Sequence, residues 1–203
     1  MRIMERAMTT PGIRRRLRDA RRGLDDDARF LSELAGGQVA RSPSLLQGLA
    51  HPSLRAGWLF RVASGGGAMG RVARNLLLSW HGCDVSPGAR FLGALHLPHP
   101  HGVTIGIGVV IGDRVTIYQG VTLGANQAGR YPVIAEHVRI FPQSIVAGAV
   151  RVGAGATIGA QSFVSRDVPA RAVTHRRAQP QNAVQPDNAV QPQNAVQPHE
   201  ENR

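Results

Sequence analysis

Three histidines and two prolines crowd the stretch "HLPHPHG", as His96, Pro98, His99, Pro100 and His101. Histidine is the side chain whose ordinary pKa lies closest to neutrality, so the cluster offers a proton acceptor for general-base chemistry. It also offers nitrogen ligands of the kind zinc takes. A metal site, however, needs ligands that converge on one centre with a defined geometry. Histidines spaced three and two residues apart around prolines, without an evident fourth partner, do not meet that demand, and no metal is expected.

The elements that must hold this cluster are small-chained. The protein has 203 residues, 42% of them hydrophobic, which is enough for one principal domain with smaller appendages. Only 4% are aromatic and 24 are glycine, so the core is built from small and β-branched side chains. A single cysteine, Cys83, excludes an internal disulfide framework and fits a reducing compartment. No apolar stretch approaches the roughly 20 residues that span a bilayer, and the arginine-bearing N-terminus lacks the apolar run of a signal peptide. A cytoplasmic protein without a membrane span is the expectation.

The formal charge is +11, and nine arginines fall between Arg2 and Arg29. Asp19, Asp25, Asp26 and Asp27 partly offset them, and no aromatic stacking residues or nucleic-acid motif accompany the charge. Residues 1–43 therefore read as a basic segment, helical or poorly ordered, with a solvated face and no nucleic-acid partner. Residues 44–82 read as a small helical cap: Leu54, Trp58, Leu59 and Val62 keep helical spacing, as do Met69, Val72, Leu76 and Leu77, with "SGGG" between the two sets.

After Gly82 the period becomes six. Apolar residues fall at Val85, Phe91 and Leu97, then at Ile105, Ile111, Ile117 and Leu123, then at Ile134, Ile140, Val146, Val152, Ile158 and Val164. A small or β-branched residue stands two places earlier at Val103, Val109, Val115, Val121, Val138, Ser144, Val150, Ala156 and Ser162. Neither a helix nor a hairpin sheet has a reason to keep that period. A parallel β-helix does, because each unit of six makes one short side and its inward aliphatic stacks on the next coil. The steps from Leu97 to Ile105 and from Leu123 to Ile134 are eight and eleven, so the extra residues are extruded as surface loops. The β-helix is assigned to residues 83–178. The tail, residues 179–203, repeats "QPQNAV" with one valine and one alanine per unit, too little to offset ordering entropy, and reads as disordered.

The segments "DVSPGARF", "LHLPH", "VVIGDRVTIYQGVTLG" and a loop ending "GRYP" resemble the hexapeptide-repeat acyltransferases and, among them, the serine acetyltransferases. The resemblance runs from Pro52 to about Arg171. It implies a left-handed β-helix assembled as a homotrimer or a dimer of trimers, with acetyl-CoA as co-substrate in a groove between neighbouring coils. It also implies that Asp84 and His99, fifteen residues apart as the family's catalytic pair requires, form that pair. His99 is then the base, and His96 and His101 are loop or subunit-contact residues. On the acceptor side the resemblance points to Arg130, Tyr131 and Pro98, and on the coenzyme side to Gly124, Ala125, Phe141 and Pro142.

Some of these positions depart from the family pattern. Pro98 stands where an aspartate usually precedes the catalytic histidine, and Tyr131 stands where a second histidine usually follows the arginine. "IFPQS" replaces a Gly-Ala corner, and Arg166, Arg171, Arg176 and Arg177 cluster as a polar cap where a closing element is missing. The implied reaction is acetyl transfer to a small-molecule hydroxyl, with L-serine as first acceptor and a sugar or surface-polysaccharide precursor as the alternative.

Overall fold

The protein is described here from a computed structural model, which covers residues 13–37, 42–126 and 128–174. The proline-bearing tail lies outside the described residues. Four helices come first: α1 (Ile13–Leu34), α2 (Leu45–Ala50), α3 (Pro52–Ser64) and α4 (Gly67–His81). Local chemistry sets their ends. Ser44 accepts the Gln47 N–H at 3.2 Å while the Gln47 side chain accepts the Ser44 N–H at 2.9 Å, a capping box that starts α2. Pro52 occupies the first turn of α3, where its missing N–H costs nothing. Gly82, at φ 59°, closes α4 in the left-handed conformation and turns the chain into the first strand.

The strands that follow are two or three residues long. The first coil holds β1 (Asp84–Val85), β2 (Arg90–Phe91) and β3 (Leu95–His96), and the second β4 (Thr104–Ile105), β5 (Val110–Ile111) and β6 (Val115–Ile117). The third holds β7 (Thr122–Gly124), β8 (Val133–Ile134) and β9 (Arg139–Ile140), and the fourth β10 (Ile145–Ala147), β11 (Arg151–Val152) and β12 (Thr157–Ile158). β13 (Phe163–Val164) and β14 (Val173–Thr174) belong to a last coil, completed by a parallel bridge from Val168 to Val152. Strands pair only with their counterparts in adjacent coils, always in parallel. They form three faces: β1-β4-β7-β10-β13, then β2-β5-β8-β11, then β3-β6-β9-β12-β14. This is a three-sided parallel β-helix of about four turns.

The period-six positions fill its interior. From Val85 to Val164 each is buried except Phe91, which is half-buried beneath the helices, and the small residues two places earlier are buried with them. The register confirms where residues leave the coil. Thr104 pairs with Thr122, a regular step, whereas Asp84 pairs with Thr104 and Thr122 with Ile145, two and five residues longer. Those residues form the two extruded loops.

The helices differ from the sequence reading in two respects. In α4 the inward side is Gly70, Ala73, Leu77 and His81, and Val72 is 59% exposed. Leu77 is fully buried and Met69 and Leu76 pack against the core, so only Val72 departs from the expected face, while the small Gly70 and Ala73 let α4 lie close against α3. In α1 the acidic run does more than balance arginines. Asp27 is 1% exposed and accepts Arg61 Nη1 at 2.6 Å, Arg61 Nη2 at 2.8 Å and the Leu95 N–H at 2.6 Å. Arg61 also donates to the carbonyls of Gly57 and Gly93. One buried carboxylate thereby ties α1 to α3 and both to the first coil. Leu24, Ala28 and Leu54 pack beside it, so α1 belongs to the cap rather than to a separate solvated segment.

Candidate active site

Two edges of the prism carry the residues singled out by sequence. At the edge where the third face turns into the first lie Asp84, the loop 98–103, Tyr118 to Gly120, and Phe141 to Gln143. These corners stack on one another: the Gly120 N–H donates to the His101 carbonyl at 2.9 Å, Gln143 to Gln119 at 3.0 Å, and Gln161 to Pro142 at 2.9 Å. At the edge where the first face turns into the second lie Gly106 to Gly108 and the loop that carries Gly124, Ala125, Arg130 and Tyr131. Three residue steps of strand, on the order of 10 Å, separate the edges. The acceptor and coenzyme candidates are therefore not gathered at one point of a single chain.

The histidine loop is stitched to the segment that starts β1. The Asp84 N–H donates to the Val103 carbonyl at 2.9 Å, and the Gly102 N–H donates to the His81 carbonyl at 3.0 Å. Between them the buried Cys83 thiol lies 3.5 Å from the carbonyls of Pro100 and His81 and accepts the Val103 N–H at 3.3 Å. Burial pushes that thiol up from its ordinary range. Cys83 serves here as an internal strut, a role the sequence did not signal.

The three histidines have different surroundings. His96 is half-buried, edge-on to Phe30 at 6.0 Å, and its Nδ1 has no partner. Burial, with smaller contributions from His51 and His99, brings its pKa down to about 4 and keeps it neutral. His101 is exposed beside His81, their rings 6.0 Å apart. His81 is held below its ordinary pKa by burial and then by Arg55, whose Nε donates to His81 Nε2 at 3.3 Å. His99, on the loop between His96 and His101, is exposed. Among the described residues no cluster of three or more potential ligands suits a metal ion.

Asp84 reaches a different partner from the one the family pattern implies. Arg74 of α4 grips it through both oxygens, Nε to Oδ1 at 2.5 Å and Nη2 to Oδ2 at 2.8 Å. Those hydrogen bonds hold the Asp84 carboxyl below the usual carboxylate range. No hydrogen bond joins Asp84 to His99 among the described residues. Arg74 sits on a helix surface, ten residues before Asp84, and no periodicity linked the two.

On the second edge, Asn126 shapes the loop. Its side-chain oxygen accepts the N–H groups of Ala128 and Arg130, each at 3.1 Å, and its N–H donates to the Arg130 carbonyl at 3.1 Å. Arg130 projects exposed from that turn, whereas Tyr131 folds under it onto the core. A Cβ on Gly108 would lie 2.5 Å from the Tyr131 ring, so the glycine makes room for the tyrosine. Gly108→Ala is expected to cost about 1–3 kcal/mol by overpacking. Thermal melts of Gly108→Ala alone and with Tyr131→Ala check it: the penalty should largely vanish in the double variant. On the first edge Phe141 stacks on Tyr118, ring centroids 5.0 Å apart and 10° from parallel, forming a flat aromatic wall beside Pro142. Pro98 is half-buried at the root of the histidine loop.

No family model matches the chain. It is 34% identical over 131 residues to the serine acetyltransferase of Mycobacterium tuberculosis, covering 61% of this chain and 57% of that one. The plasmid serine acetyltransferase of Synechococcus elongatus is 39% identical over 114 residues, 50% of this chain and 36% of that one. The chain thus spans between 36% and 57% of the length of these curated relatives. The crystal structure of Neisseria gonorrhoeae serine acetyltransferase in complex with serine superposes with a TM-score of 0.69 at 28% identity, over 82% of this chain and 72% of that one. In sequence and in fold, the chain is similar to serine acetyltransferases.

Proposed function

We propose that the chain is an acetyl-CoA-dependent O-acetyltransferase that converts L-serine to O-acetylserine, the step that leads into cysteine biosynthesis, in the cytoplasm. The observation that carries the reading is the stitched edge: the loop bearing His99 is hydrogen-bonded along the strand that begins with Asp84. The relatives' activity and the serine held by the Neisseria enzyme support the choice of acceptor.

In this reading the exposed His99 imidazole takes the proton from the acceptor hydroxyl as its oxygen bonds to the acetyl carbon. A hydroxyl does not ionise near neutrality, so a base at this position is required. The C–S bond of the thioester then breaks, and coenzyme A leaves as a thiolate that takes up a proton. Asp84 supplies the negative charge that stabilises the imidazolium. Arg130, at its exposed turn, pairs with the serine carboxylate. Tyr118, Phe141 and Pro142 form an apolar wall for the coenzyme, with Gly124 and Ala125 lining the opposite side of the groove.

A homotrimer reconciles this with the separation of the two edges. When prisms pack side by side, the histidine edge of one protomer faces the Arg130 edge of its partner. Measuring free thiol released from acetyl-CoA, with L-serine and with simple sugars as parallel acceptors, tests the reading. Turnover with serine supports it. Turnover with sugars alone replaces serine by a sugar hydroxyl, consistent with Pro98 standing where the family has an acid. No thiol release with any acceptor refutes it.

A further inference from the structure

We infer that the arginine face of α1, with the leucines beside it, is a docking surface for an anionic lipid bilayer. The helix carries seven arginines and five acids, and the fold divides them into two groups. In its C-terminal half every acid has a cation: Asp25 pairs with Arg21, Asp26 with Arg29, Asp27 with Arg61 and Glu33 with Arg114. In its N-terminal half Arg16 turns inward and donates to the Gly66 carbonyl at 3.1 Å. Arg14, Arg15, Arg18 and Arg22 are exposed and form no ion pair among the described residues, and Asp19 is the single acid among them. Arg14, Arg18 and Arg22, four residues apart, line one face over about 12 Å.

This placement opposes the helix. Like charges four residues apart repel, and Arg14 and Arg15 stand in the first turn, where the macrodipole is positive and no acid is present. These arginines do not stabilise α1; an anion from outside the chain would. A second copy set against the same face would bring arginines to arginines. The apolar neighbours favour a bilayer over a nucleic acid. Leu17, Arg21 and Leu24 follow at helical spacing along one flank, and α2 lies against it: Arg21 Nη2 donates to the Pro43 carbonyl at 2.7 Å, and Gly48 packs on the Leu24 side chain. Leu17 is 38% exposed, and Leu45 and Leu46, at the start of α2, are 44% and 80% exposed. Guanidinium groups beside open leucines match a surface where phosphates lie over acyl chains, whereas a nucleic-acid backbone has no apolar layer for leucines to enter. No aromatic ring stands among Arg14, Arg15, Arg18 and Arg22 to stack on a base.

Cosedimentation of the full chain with vesicles tests the surface, using phosphatidylcholine alone and an equimolar mixture with phosphatidylglycerol. The chain should pellet with the mixed vesicles and stay in solution with phosphatidylcholine, and added salt should release it. Arg14→Gln, Arg18→Gln and Arg22→Gln together should lower the partition coefficient about 100-fold, roughly fivefold per charge. Arg14→Lys, Arg18→Lys and Arg22→Lys together should keep most of it. Leu46→Ser, which leaves every charge in place, should lower it several-fold. The replaced side chains are exposed, so thermal melts of these variants should match that of the parent. No pelleting with the mixed vesicles, equal pelleting with both kinds, or unchanged pelleting of the triple glutamine variant would overturn the inference. So would a DNA duplex that displaces the chain from the vesicles and binds Leu46→Ser as tightly as the parent, which would make the face a nucleic-acid site. None of these readings uses turnover, so they stand apart from the thiol-release assay, whose failure would instead refute the proposed reaction.

Discussion

Replacing His99 by alanine should reduce acetyl transfer by about 10²–10⁴-fold, the range that general-base catalysis contributes. The fold should persist, because His99 is exposed and its side chain makes no hydrogen bond among the described residues. Coenzyme A binding should persist as well, since the aromatic wall at Tyr118 and Phe141 lies one and two coils further along the same edge. His101→Ala is the matched control. It removes an exposed imidazole two residues away and should leave most of the turnover intact. Asp84→Asn should be less severe than His99→Ala, because it removes a stabilising charge rather than the proton acceptor. Steady-state rates with purified variants check all three. A dead His101→Ala beside an active His99→Ala would reassign the base.

The second large effect concerns stability. Asp27→Ala should cost about 3–5 kcal/mol, because it strands the Arg61 guanidinium, 9% exposed, without its counter-charge and leaves the Leu95 N–H without its acceptor. Denaturant unfolding measures it. The pH dependence identifies the residue. Burial outweighs the pull of Arg61 and pushes Asp27 up from 3.8 to about 6. The folded chain therefore holds the Asp27 proton more tightly than the unfolded chain does. Its contribution to stability is greatest below about pH 4, declines as the pH rises to about 6, and is level above that. Asp27→Asn should remove that slope, so the difference in unfolding free energy between pH 4.5 and pH 7 should be smaller in the variant. A slope unchanged by Asp27→Asn would place the titration elsewhere.

The solenoid was legible because each coil repeats the same demand on the sequence. An aliphatic must point inward every six residues, and the two phase breaks after Leu97 and Leu123 mark where chain is extruded. The helical cap was legible only in part. Gly70 and Ala73 make the close contacts in α4, and small residues carry little periodic signal. Asp27 read as one of three consecutive acids, and nothing local distinguishes the buried one from Asp25 and Asp26, whose acidity is spent on α1's own arginines. Asp84 and His99 were singled out by motif, whereas the Arg74–Asp84 ion pair came into view only when Gly82 turned the chain and brought the helix surface over Asp84. Contacts between elements of unlike period leave no shared pattern to read.

The buried Asp27 pair also gives the stack a direction. Coil-to-coil hydrogen bonds make the prism a quasi-one-dimensional zipper in which each rung depends on its neighbours. The helices pack on the first coil, where Asp27 and Arg61 latch them to Gly93 and Leu95. Opening is therefore cheapest at the rungs farthest from that latch and dearest beside it. Asp84 and His99 lie at the latched end and the Phe141–Pro142 corner lies rungs away. Heat or denaturant would thus loosen the Phe141–Pro142 corner first, and the rungs that carry Asp84 and His99 would be the last to lose their shape.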